Sequence, residues 1–95
     1  MNENSKVFSW RKLPEEIIQR ISERERTLRK NMGFSQSKLA EKSGVSLGSL
    51  KRFETTGKIS LESLLKLAFT LDALDEFGAL FPENEIPKSL DDLLK

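Results

Sequence analysis

The stretch from Phe34 to Glu54 constrains this chain more than any other. It holds two short amphipathic segments, each opened by a serine, at Ser35 and Ser46, and joined through Gly44. A serine before an apolar-periodic run is a helix start, because its hydroxyl accepts from a backbone N–H that the first turn leaves without a partner. The spacing predicts helices over about Gln36–Lys42 and about Leu47–Glu54. Leu39, Ala40, Gly44, Val45, Leu50 and Phe53 fall where two such helices must touch. Helices crossing over a three- or four-residue turn need a small side chain at their approach, and Ala40 provides it. The turn needs a residue that tolerates positive φ, and Gly44 meets that need.

This layout is that of a helix-turn-helix, whose second helix enters the major groove of DNA. With Val45 and Leu50 turned inward, Ser46, Leu47, Gly48, Ser49, Lys51 and Arg52 lie on the outer side or at the N-terminal end. The free N–H groups there suit phosphate. Lys51 and Arg52 can neutralise phosphates or reach guanine N7 and O6. Leu47 can touch a thymine methyl, and Gly48 lets the backbone approach the groove.

Charge distribution agrees. The net charge is only +1, yet residues 1–60 carry thirteen Lys/Arg against seven Asp/Glu, and residues 61–95 carry three against eight. A basic front and an acidic rear are expected when one face meets phosphate. The basic run Arg24, Arg26, Arg29, Lys30 suits either solvent or phosphate. There is no cysteine and no histidine, which argues against thiol and imidazole chemistry and against zinc ribbons. The acid cluster Asp72, Asp75, Glu76 lacks a calcium-loop pattern and reads as solvated surface. No catalytic residue, metal, cofactor or small-molecule ligand is expected, and neither is an enzyme. Without a signal peptide or a long apolar run, a cytoplasmic protein is expected.

The rest reads as all-α. Pro14, Glu15 and Glu16 open a long helix that ends at Gly33. Its middle, Glu23 to Thr27, has no apolar residue and is expected partly in solvent. Thr55-Thr56-Gly57-Lys58 reads as a loop. Ser60 caps a fourth helix, Leu61 to Leu71, with a wide apolar face that includes Leu61, Leu65 and Phe69. Leu39, Val45, Leu50, Phe53, Leu64 and Phe69 are assigned to the core. A short fifth helix is predicted through Phe77, Leu80 and Phe81, capped near Asp72. Ser89 to Asp92 reads as a capping box opening a last turn with Leu90, Leu93 and Leu94. The expected division is an N-terminal arm (1–13), a DNA-binding domain (14–81, with the helix-turn-helix about 35–54) and a tail (82–95). Val7, Phe8 and Trp10 give the arm something to bury, and Phe8 and Trp10 pack either internally or at an interface.

Residues about 26–71 resemble the lambda-repressor-like, Cro-type (XRE family) helix-turn-helix domain. The resemblance is carried by Arg26-Thr-Leu28-Arg29, Gly33-Phe34-Ser35-Gln36, Leu39-Ala40, Gly44-Val45-Ser46, Leu50, Arg52-Phe53-Glu54, Gly57-Lys58, Ser60 and Leu64-Leu65-Lys-Leu-Ala68. It implies a compact five-helix fold that binds double-stranded DNA. It further implies that Gln36 contacts the DNA backbone or braces the reading helix, that Arg29 pairs with Glu54, and that Lys58 belongs to the DNA face. The pair itself is expected to be exposed and weak. In that family the Leu47 position is often glutamine, which reads adenine; leucine cannot, so no operator carries over. The flanks resemble HipB-like antitoxins, encoded beside HipA-type kinase toxins, through the compact domain and the acidic, leucine-ended tail. The expected action is that of a repressor, working as a homodimer joined through Phe77, Leu80, Phe81, Leu90 and Leu93. A toxin-like protein partner is the alternative.

Overall fold

A computed structural model describes residues 13–83. The arm residues Val7, Phe8 and Trp10, and the tail residues Leu90, Leu93 and Leu94, lie outside the described residues. Among the described residues there are four α-helices and no strand: α1 (Pro14–Asn31), α2 (Gln36–Ser43), α3 (Leu47–Thr56) and α4 (Leu61–Thr70). The serine caps stand as expected. Ser35, Ser46 and Ser60 accept from the backbone N–H groups of Lys38, Ser49 and Ser63, at 3.0, 3.1 and 3.1 Å. Helix α1 has no such cap. Pro14 occupies its first turn, and Glu16 reaches back to accept from the Leu13 N–H at 3.4 Å.

Helix α3 crosses both α1 and α2, and α2 also packs on α4. Their shared core is Leu39, Ala40, Val45, Leu50, Phe53, Leu67 and Leu71, flanked by half-buried Ile21, Leu28, Phe34, Ile59 and Leu64. Gly44 ends α2 in the left-handed region at φ +79°, donating to the Ala40 carbonyl at 3.0 Å.

The expected fifth α-helix is instead a 3-10 helix, Asp75–Ala79. Asp72 does not cap it. Asp72 itself takes a left-handed conformation, φ 60°, while the Ala73 N–H bonds back to the Ala68 carbonyl at 2.8 Å. That is a helix-terminating turn in the place glycine usually takes, and it uses the residues a fifth cap would need. The 3-10 segment buries none of its residues, so little packing favours a longer helix.

Two further expectations are corrected. Phe69 and Leu61 are 72% and 64% exposed, so the core takes only the Leu64, Leu67, Ala68 and Leu71 side of α4. Thr55 and Thr56 belong to α3, their hydroxyls donating to the carbonyls of Lys51 and Arg52 one turn back. As expected, the middle of α1, Glu23 to Thr27, stands partly in solvent, with Glu23, Arg24 and Thr27 exposed and Glu25 alone buried. Ser22, Glu25 and Arg29 face inward, while Ile17 and Ile18 are the more exposed. A polar stripe can face inward because α3 presents Glu54 to it.

Candidate nucleic-acid interface

The reading-helix candidate is held by one buried polar contact. The Arg29 guanidinium grips Glu54 with two bonds, Nε to Oε2 at 2.8 Å and Nη2 to Oε1 at 2.9 Å. Its Nη1 donates to the Phe34 carbonyl at 2.9 Å, fixing the link between α1 and α2. Gln36 completes the site, donating from Nε2 to Glu54 Oε1 at 2.9 Å. Contrary to the expectation of an exposed and weak pair, the Arg29 and Glu54 side chains are only 8% and 3% exposed. Burial pushes the Glu54 carboxyl up, but its bonds from Arg29 and Gln36 and the Arg29 charge outweigh this and hold it below its usual range. The Arg29 guanidinium is pushed up in turn, chiefly by its bond to Glu54. Three helices thus meet at one carboxylate on α3.

That seat sets which residues α3 turns outward. Ser46, Gly48, Lys51 and Arg52 are exposed, and Gly48 has open space where a Cβ would stand. Ser46 Oγ also bonds Ser49 Oγ at 2.9 Å, so Ser49 is half-buried and already engaged. Leu47 stands at the N-terminal end of α3. It is half-buried and packs against the core. Gln36 braces α3 through Glu54, one of the two roles that the resemblance allowed it.

Arg52 and Lys58 share a surface groove of about 310 Å³ with Ser49, Ile59, Ser60 and Ser63. It brings the N-terminus of α4 beside two cations from α3 and its following loop. Ser60, a cap by its sequence position, can serve a phosphate from the same place, whereas Ser63 carries no sequence signal of its own. The legible signal was Ser60 itself, since a capped helix start next to Lys58 is an anion-favouring end. Arg26 and Lys58 both line a second groove of about 510 Å³ between α1 and the end of α3. Of the predicted dimer residues, Phe77 is half-buried, Leu80 is exposed and Phe81 is 90% exposed.

A protein-family model described as helix-turn-helix matches residues 26–76, just over half the chain. The chain belongs to the helix-turn-helix family. The match runs from the middle of α1 into the 3-10 helix, so it contains α2, α3, α4 and the Arg29–Glu54 contact, in keeping with a lambda-repressor-like regulator. This is a family of DNA-binding domains rather than of enzymes, and the chain is a DNA-binding helix-turn-helix regulator. Comparison with curated proteins and with solved structures gives no match. Among the described residues no helix of this helix-turn-helix protein is long and apolar enough to cross a membrane.

Proposed function

We propose that this helix-turn-helix protein is a sequence-specific transcriptional repressor, acting as a homodimer on a palindromic operator. The observation that carries this reading is the buried grip of Arg29 and Gln36 on Glu54. It fixes the rotation of α3 so that Lys51 and Arg52 face outward. Lys51, Arg52, Ser46 and Gly48 enter or border the major groove. The half-buried Leu47 and Ser49 set the height of the helix over it. Lys58 and Arg52 hold a backbone phosphate at the start of α4, in the groove they share with Ser60.

Alanine at Lys51 and Arg52 tests this by fluorescence anisotropy on operator fragments selected from a random pool. A phosphate-contacting member is expected to lose affinity for all sequences and to reduce the salt slope by about one. A base-contacting member is expected to lose about 1–3 kcal/mol and to relax the preference at one position. A folded double variant that binds like the wild type would sink the assignment of α3.

One reading helix spans few base pairs, so specificity calls for two half-sites roughly 34 Å apart, presented by a two-fold dimer. Phe77, Leu80 and Phe81 are proposed to form that interface with Leu90 and Leu93 of the tail, supported by the exposure of Leu80 and Phe81. Analytical ultracentrifugation of the full chain and of a truncation after Pro82 checks it. A dimer is expected for the full chain. One that survives truncation frees the tail for a toxin-like partner, the antitoxin alternative. A full chain that stays monomeric at tens of micromolar, on the order of ordinary assay concentrations, removes the dimer.

A further inference from the structure

Beneath the reading helix, one carboxyl group lacks what a carboxylate needs. Glu25 on α1 is 8% exposed, and both of its carboxyl oxygens are shut from solvent with no hydrogen-bond donor. The group set against it is the carboxylate of Glu54, which accepts but cannot donate. Glu54 is already supplied by Arg29 and Gln36. An anion at Glu25 would lose its hydration with nothing in return, whereas the neutral acid carries the one O–H that the site lacks.

We propose that Glu25 stays protonated at neutral pH and donates its proton to Glu54, and that losing this proton in mildly alkaline solution loosens the seat of α3. The consequence for DNA rests on α3 being the reading helix. The charged groups around Glu25 are few. Arg26 and Arg29 lie on its own helix, and Glu54 faces it from α3. Gln36 of α2, beside Glu54, is uncharged. Arg24 and Glu76 share with it the groove floored by Leu64, Leu67 and Ala68 of α4. Burial, then the bond and charge of Glu54, push the Glu25 carboxyl up from an ordinary 4.5 to about 8, against the opposing pull of Arg29 and Arg26. Once ionised, Glu25 repels Glu54 and competes with it for Arg29.

The composition makes the effect separable. The chain has no histidine, cysteine or tyrosine, so other side chains ordinarily titrate well below or well above neutrality. The unfolded chain releases the Glu25 proton above about pH 4.5, while the folded chain keeps it to about 8. Stability from this group is therefore complete below pH 4.5, falls as pH rises to 8, and is level beyond.

The test uses the full chain. The Glu25 side-chain carboxyl carbon is followed by NMR from pH 4 to 9. Urea unfolding, and anisotropy on a short random-sequence duplex at fixed salt, compare wild type with Glu25→Gln, whose amide supplies a donor permanently. Glu25 is expected to titrate near 8. The wild-type folding constant is expected to fall by up to about tenfold per pH unit through the window, with DNA affinity dropping on the alkaline side. The Gln variant is expected to be flat in both. A carboxyl titrating below pH 6, or equal slopes for the two proteins, overturns the proposal. So does DNA affinity that stays level while stability falls. If the Gln variant does not fold, the wild-type titration decides alone. If Glu25 titrates near 8 and stability follows while no duplex binds at any pH, the DNA reading fails and the proton switch stands.

Discussion

Replacing Arg29 by methionine is expected to remove about 3–5 kcal/mol of stability at pH 7, the effect of breaking a buried ion pair from one side. The substitution strips Glu54 of two charge-assisted bonds and leaves the Phe34 carbonyl without its donor. A domain of this size holds only about 5–15 kcal/mol, so the variant should sit close to unfolding. Urea unfolding measures the loss directly. Its pH dependence carries the sign. Glu54 is held below its usual range in the wild type, so its contribution is present above pH 4.5 and lost as pH falls through its folded value. The deficit of Arg29→Met should therefore be largest near neutrality and shrink in acid. Adding Glu54→Leu should recover much of it, because two apolar side chains then replace an unpaired charge. DNA binding should not return with that recovery, since Gln36 then has no carboxylate to brace and α3 is free to rotate. A single variant as stable as wild type at pH 7 would make the contact ornamental.

Valine at Gly57 is expected to rank next, and above valine at Gly44, though both glycines have left-handed backbones at φ +82° and +79°. At either position a β-branched residue meets a disfavoured conformation, at about 1–3 kcal/mol. A Cβ at Gly44 would meet nothing within 4 Å, so strain is the whole effect there. A Cβ at Gly57 would overlap Ile18 Cγ2 on α1. Overpacking adds about 1–3 kcal/mol. Thermal unfolding of both variants, and of Gly57→Val combined with Ile18→Ala, separates the two contributions. The double variant should regain the overpacking part and no more. If Gly57→Val and Gly44→Val melt together, the loop after α3 does not press on α1.

The local signals were legible because they act over one turn of chain. Ser35, Ser46 and Ser60 cap their helices, and Gly44 turns left-handed, through contacts within three or four residues. Ala40, Val45 and Leu50 point inward because the two-helix turn leaves them no other direction. The same reasoning misplaced Phe69 and Leu61. Periodicity says that a face is apolar, but not how much of it a neighbouring helix covers. Nor does periodicity reveal that one residue of the polar middle of α1, Glu25, is buried. Glu25 and Arg29 look like solvent residues until α3 is laid across them.

For the nucleic-acid face, the outward position of Lys51 and Arg52 followed from the helix period. The grouping of Arg52 and Lys58 with Ser60 and Ser63 needed the loop between α3 and α4 to be seen in place. The sequence alone therefore determined the helix boundaries around the turn and the class of motif, because caps, turn glycines and apolar spacing are local. Tertiary structure decided which polar residues are buried and how Glu54 is shared. Desolvation and a bond between residues 25 positions apart depend on α1 and α3 meeting, which no local pattern encodes.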